Sequence, residues 1–251
     1  MPHDPGPTGR DDDQMDWVPA PDEIRRIGLA KALREVTAPH HRRAEKSGVI
    51  SDVVRGRATR AGYALLLRNF HAVYGAIERG LERHKASPAV RLIALPEMYR
   101  AGAIGRDIAT LYGGAEAAQA VPLLPEGEHY AEVVAEAAEG DGVGLIGHAY
   151  TRYLGDMSGG QTVSRVLADT LGLDADARNL YDFASLGALE PFKIRYREAL
   201  DRAAFETDRP DAILTAAMRA FDLNIALFWA VQNAVGGASA PADDPAPVGS
   251  A

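Results

Sequence analysis

The chain has 251 residues, 47% of them hydrophobic and 25% charged, which gives one globular domain ample apolar surface for a core. It has no cysteine, so a disulfide framework, a thiolate metal ligand, a cysteine nucleophile and an iron–sulfur cluster are all excluded. The formal charge of −8 belongs to the ends: residues 1–23 carry seven acids against Arg10 alone, residues 236–251 carry Asp243 and Asp244, and the neutral middle holds 26 basic and 26 acidic residues, with no basic excess of the kind nucleic acid requires.

In chain order, residues 1–23 are rich in proline and aspartate and read as a disordered acidic tail, with no apolar run of a secretory signal. A helix is expected around Ile27, Leu29, Ala30, Leu33 and Val36, whose spacing is three and four. Further helices are expected over Arg60–His84, Pro96–Tyr112, about Glu128–Ala138, Leu145–Leu171, Glu190–Phe205 and Pro210–Val235. No alternating run of Val, Ile and Thr marks a strand. Residues 24–235 therefore read as one all-α domain, and 236–251 as a second disordered tail. The most apolar late stretch, Leu223–Val235, is interrupted by Asn224, Gln232 and Asn233 and is too short and polar for a bilayer span. A soluble, cytoplasmic monomer is the expectation.

The most unusual stretch is HAYTRYLGDMSGGQ at 148–161. A glycine inside a helix costs about 1 kcal/mol relative to alanine, and here three stand at 155, 159 and 160. Gly155 and Gly159 are four apart and share a face. Such a bare face admits a large flat group against the backbone, or lets the helix kink. It suits close packing of a second helix equally well, and spacing alone does not separate the two. Asp156 stands beside that face, four residues from both Arg152 and Gly160, where a carboxylate can organise water or a proton path.

The whole string resembles the distal-helix signature of the haem oxygenase family. ALREVTAPHHRRAE at 32–45 is similar to the family's proximal-helix motif, and Leu95-Pro96-Glu97 to one of its interhelical segments. FKIRYR at 192–197 resembles a further stretch, and Ala220-Phe221, Leu223-Asn224-Ile225 and Leu227-Phe228 resemble its last core helix. In order and spacing the resemblance covers roughly residues 28–232.

That resemblance implies an all-α bundle with haem held between a proximal and a distal helix. Haem iron needs a neutral nitrogen donor where no thiolate exists, and the family's axial ligand falls on His41. Glu45, one turn later, is implied to accept a hydrogen bond from the other ring nitrogen. Arg34, Lys193 and Arg197 fall where basic groups hold the propionates, with arginine replacing the more usual lysine at 34. Tyr150, Ser158 and Gly160 fall among the haem contacts, and Phe221 and Phe228 beside the macrocycle. Gly155 and Gly159 are implied to press on bound dioxygen. Asp156 would hold the proton-donating water, supported by Tyr74 and Arg152. The implied reaction opens haem to biliverdin, carbon monoxide and ferrous iron. Haem serves as both substrate and cofactor, with dioxygen and electrons from an external ferredoxin or flavin reductase fed by NADPH.

Two residues of the proximal stretch bear on its geometry. His40 is a rival ligand, but neighbouring helical residues point about 100° apart, so only one of the pair faces a given ligand. Pro39 removes a helical hydrogen bond, which predicts a bend before His41 or a helix restarted with Thr37 as its N-cap. His148 reads as a structural, hydrogen-bonded histidine and not a ligand, and His71, His84 and His129 as structural or surface groups. Two other classes stay in view. A di-iron carboxylate enzyme would need paired Glu and Glu-x-x-His spacing on facing helices, which these helices lack. A haem carrier or sensor would keep His41 and the cations but would not need Asp156 beside a glycine slot.

Overall fold

The computed structural model of the protein describes residues 17–237; most of both expected tails lies outside the described residues. Eleven α-helices follow one another: α1 (Pro21–Ile27), α2 (Leu29–Ala44), α3 (Gly48–Val54), α4 (Arg60–Arg83), α5 (Ala101–Tyr112), α6 (Ala115–Ala120), α7 (Pro125–Ala137), α8 (Gly144–Ala149), α9 (Gly155–Leu171), α10 (Leu189–Ala203) and α11 (Pro210–Gly237). Among the described residues there is no strand, as the sequence periodicity implied. The tail boundary shifts, because Pro21 at the first turn and the buried Ile24 start α1 before residue 24.

The core is organised around α11, which packs on α2, α3, α7 and α8. Ile213, Leu214, Ala217, Ala220, Leu227 and Val231 are completely buried along it, and each large aliphatic side chain so buried contributes about 1.5–3 kcal/mol. By length and composition α11 is apolar enough to cross a membrane, yet 56% of its apolar window is buried inside the protein. Its polar interruptions do not shorten it: Asn224 bonds back to the carbonyl of Ala220 at 2.7 Å. Two glycines permit the tight crossings. A Cβ on Gly147 would stand 2.3 Å from the Ile213 carbonyl oxygen, and one on Gly48 2.2 Å from that of Phe228, so α8 and α3 can lie on the α11 backbone only without side chains there.

Several elements differ from the sequence expectation. Pro96–Met98 is a separate 3₁₀ turn and α5 starts only at Ala101, because the Glu78 carboxylate accepts the N–H groups of Arg100 at 2.6 Å and Ala101 at 2.9 Å. α3 and α6 have seven and six residues, too few for periodicity to reveal. Pro39 neither ends nor restarts its helix: α2 runs through it. Thr37 is not an N-cap, since its hydroxyl donates to the Leu33 carbonyl one turn back at 2.7 Å. The stretch 145–171 is continuous but not uniform, because Tyr150–Leu154 widens into a π turn between α8 and α9, a form that marks functional sites.

Candidate functional site: a slot between two helices

Five buried polar groups meet at the π turn. The guanidinium of Arg152 donates from Nε to the Tyr74 hydroxyl at 2.9 Å and from Nη1 to Asn224 Oδ1 at 2.8 Å. Its Nη2 reaches Asp156 Oδ1 at 3.3 Å, one turn along its own helix. Tyr74 donates to the other carboxylate oxygen of Asp156, and Asn224 reaches Tyr130 Oη at 3.4 Å. The Arg152 cation also lies 4.1 Å above the centre of the Phe70 ring, whose edge meets Phe228 at 6.2 Å.

Burial raises the proton affinity of Asp156, and Arg152, the Tyr74 hydroxyl and Arg100 oppose that rise. Burial also pushes the Tyr74 phenol well up. For Arg152, burial alone would lower the pKa, but Tyr74 and Asp156 hold it above its ordinary value. The cluster thus holds one fixed cation and one acid whose proton is easier to keep than in water.

Beside it lies the bare face. A methyl group on Gly155 or Gly159 would meet no atom within 4 Å, and Ser158, exposed between them, borders the same open space. Gly160 does not belong to this face: its Cβ would stand 2.7 Å from the Tyr181 ring, because five residues along a helix from Gly155 turn it well away. A side chain at 160 would therefore collide with Tyr181, so glycine is needed there for packing. Behind Gly160, a separate hollow of about 630 Å³ is lined by Gln161, Ser164, Arg178, Tyr181, Asp182 and Phe183 among others. None of the expected haem contacts lines it.

α2 forms the other wall. The His41 side chain is 54% exposed, with Nδ1 3.7 Å from Glu45 Oε1, beyond hydrogen-bonding distance. The Phe221 ring packs edge-on against the His41 imidazole at 5.8 Å. His40 is excluded as a rival, being 2% exposed and turned to Asp222, whose Oδ1 lies 3.1 Å from its Nδ1.

The two walls are brought together by α11 and by Tyr150. Phe221, which touches His41, and Asn224, which holds Arg152, are three residues apart, so one turn of α11 backs both walls. The Tyr150 hydroxyl lies against that of Thr37, with Arg197 and Arg34 near enough to lower its pKa against the rise that burial causes. Thr37 is one turn before His41, so this contact closes one end of the slot. The cations gather at that end. Lys193 is nearly buried and paired with Glu190, whereas Arg34 and Arg197 are exposed; among the described residues neither forms an ion pair.

A slot of this kind suits a flat ligand that carries a metal and two carboxylates. It offers a free imidazole nitrogen on one wall, bare backbone on the other, cations at one end and a buried acid alongside. Among the described residues no three His, Asp or Glu side chains gather to hold a metal directly, so the di-iron alternative has no ligand set here. A family model described as heme oxygenase matches residues 27–230.

The chain belongs to the haem oxygenase family.

Haem oxygenase relatives match over most of their own length. Heme oxygenase 1 of Nostoc is 33% identical over 201 residues, covering 80% of this chain and 84% of that protein. Human heme oxygenase 1 is 31% identical over 217 residues, covering 85% and 75%. The structure of Synechocystis heme oxygenase-1 in complex with heme superposes with a TM-score of 0.79 at 29% identity, covering 84% of this chain and 95% of that one. Heme oxygenase from Leptospira interrogans gives 0.76 at 32% identity, covering 80% and 98%.

Within this haem oxygenase, the sequence missed Asn224 and Phe70 as parts of the site. Asn224 was visible as an interruption of an apolar run and as part of the last-core-helix resemblance, with no site role given to it; a buried amide in such a helix requires a partner, and Arg152 is one. Nothing in the local sequence of Phe70 distinguishes it from a core aromatic. His148 is buried and its pKa is pushed down to about 4 by burial and by Arg219, but its Nδ1 has no hydrogen-bond partner among the described residues, so the expected hydrogen bond is not seen at that nitrogen. His84 bonds the Ala138 carbonyl at 2.7 Å, His129 lies against Arg219, and His71 stands by Arg68 and Arg79.

Proposed function

We infer that this haem oxygenase holds haem in the slot between α2 and α9 and opens it with dioxygen and supplied electrons to biliverdin, carbon monoxide and ferrous iron. The observation that carries the reading is the single turn of α11 that sets Phe221 on His41 and Asn224 on Arg152, because it ties the helix that carries the imidazole to the buried acid network beside the bare glycine face. Haem supplies the iron that binds dioxygen and the ring that is oxidised.

The protein's part follows from its own atoms. His41 would give a ring nitrogen to the haem iron, and Glu45, near its Nδ1, would bias the imidazole tautomer. Arg34, Lys193 and Arg197 would hold the two propionate carboxylates. Gly155 and Gly159, with Ser158, bring backbone and not side chains over the reacting face, which limits the space for water. Asp156 holds water at that face and passes protons through it. Tyr74 and Arg152 keep the carboxylate in place, and Asn224 keeps Arg152 in place. Phe221 and Phe228 flank the slot along α11.

The same reading has a cytoplasmic monomer that takes electrons from a ferredoxin or flavin reductase fed by NADPH. The apolar face of α11 packed into the core supports a protein that works in water. Haem titration of the wild type and of His41→Ala tests the ligand assignment. A histidine-type visible spectrum in the wild type that is lost in the variant supports it. An unchanged spectrum in His41→Ala contradicts it.

A further inference from the structure

The turn that carries His41 is attached to α2 through Pro39. Proline has no N–H, so the Glu35 carbonyl loses its helical partner at the point where that turn begins. A helix weakened there is free to rotate or fray beyond it. Three tertiary contacts hold it instead. Asp222 Oδ1 of α11 lies 3.1 Å from His40 Nδ1 and 2.6 Å from Arg43 Nη2. The adjacent Phe221 sets its ring against His41. Ser47 Oγ then closes the helix end on the Arg43 carbonyl at 2.8 Å.

The angles make this a rotational lock. At about 100° per residue, His40 and Arg43 lie roughly 60° apart on the α11 side, and His41 points about 100° from His40. Holding the first two by one carboxylate fixes the direction of the third. The two arms differ in weight. Arg43 and Asp222 are 44% and 41% exposed, and an ion pair in water contributes little. His40 is 2% exposed, so its bond to Asp222 is desolvated, and a desolvated hydrogen bond to a carboxylate is the costlier of the two to lose.

We propose that Asp222 is a positioning residue that fixes the orientation of the axial His41 by clamping the helical turn weakened at Pro39. This rests on the assignment of His41 as the haem ligand. Neither Pro39 nor His40 then disturbs the proximal helix: the histidine and Asp222 together make good what the proline removes.

The test is a cycle of Asp222→Leu, Asp222→Asn and Pro39→Ala, read both without and with haem. In haem-free protein, Asp222→Leu should speed deuterium exchange of the amides at 41–45 about tenfold, the loss of one charge-assisted hydrogen bond, while α4 amides are unchanged. In the haem complex, the iron–histidine Raman band should shift or broaden and haem affinity should fall on the order of tenfold. Asp222→Asn retains an oxygen acceptor and should stay near wild type. Adding Pro39→Ala to Asp222→Leu should return exchange and spectrum toward wild type, because Glu35 regains its partner. If Asp222→Leu alone does not fold, His40→Val with Asp222→Leu removes the buried imidazole together with its acceptor and carries the same readouts. Unchanged exchange and Raman band, or an equal effect with and without Pro39→Ala, overturns the proposal. Failure of the wild type to bind haem would overturn the functional reading, and the exchange arm would still decide whether the clamp exists.

Discussion

The Tyr74 hydroxyl donates to Asp156 across 82 residues of chain, and Arg152 touches both partners. Asp156 is thereby the counter-charge of a buried guanidinium as well as the acid nearest the bare face. Asp156→Ala should strand Arg152 and cost about 3 kcal/mol, a fall in melting temperature of roughly 6–12 °C. Asp156→Asn keeps an acceptor for Tyr74 and should lose less stability. Both variants should bind haem yet form bilin far more slowly. Thermal melts paired with bilin yield check this, and wild-type yield in either variant would remove Asp156 from the proton path.

The glycines of the distal helix should separate into two classes. Gly159→Ala adds a methyl group to open space and should stabilise haem-free protein by about 1 kcal/mol, the ordinary helix-propensity gain. It should weaken haem binding at the same time, because that space is the ligand's. Gly147→Ala drives a Cβ into the α11 backbone and should cost about 1–3 kcal/mol or more with no specific effect on the slot. Denaturation curves of the two variants should move in opposite senses, and haem titration should weaken only in Gly159→Ala; a Gly159→Ala protein with wild-type haem affinity would contradict an occupied glycine face.

Acid should expose the buried His148. Its pKa is near 4 in the folded protein, against an ordinary 6.5. Between those values the unfolded chain binds the extra proton, so stability present above 6.5 is lost as pH falls toward 4. The full difference corresponds to about 3 kcal/mol. Urea unfolding at pH 7 and pH 4.5 should show wild type losing about 2–3 kcal/mol more than His148→Asn over that interval. Equal losses would mean that His148 is not neutral in the native state.

Much of this fold was legible because its long helices carry their own periodicity: α4 and α10 begin and end within two residues of expectation, and α4 starts on Thr59, whose hydroxyl accepts the Gly62 N–H at 3.0 Å. What escaped was set by tertiary partners. Glu78 decides where α5 begins, and Asp222 reaches the turn of α2 that follows Pro39, neither of which a local window contains. In the site, the glycine pair and Asp156 were readable because bare helix faces are costly and therefore unusual. Asn224, Phe70 and the inward turn of Gly160 were not, since each depends on which neighbour the folded chain brings against it.

The central claim is that this slot turns haem over and does not merely hold it. The direct measurement is to supply haem-loaded protein with a ferredoxin–reductase pair and NADPH in air, following the visible spectrum and trapping carbon monoxide. The account predicts loss of the haem band with growth of a bilin absorbance and release of carbon monoxide. A stable histidine-type haem spectrum with neither product, with ascorbate as donor as well, would contradict it and leave a haem carrier or sensor.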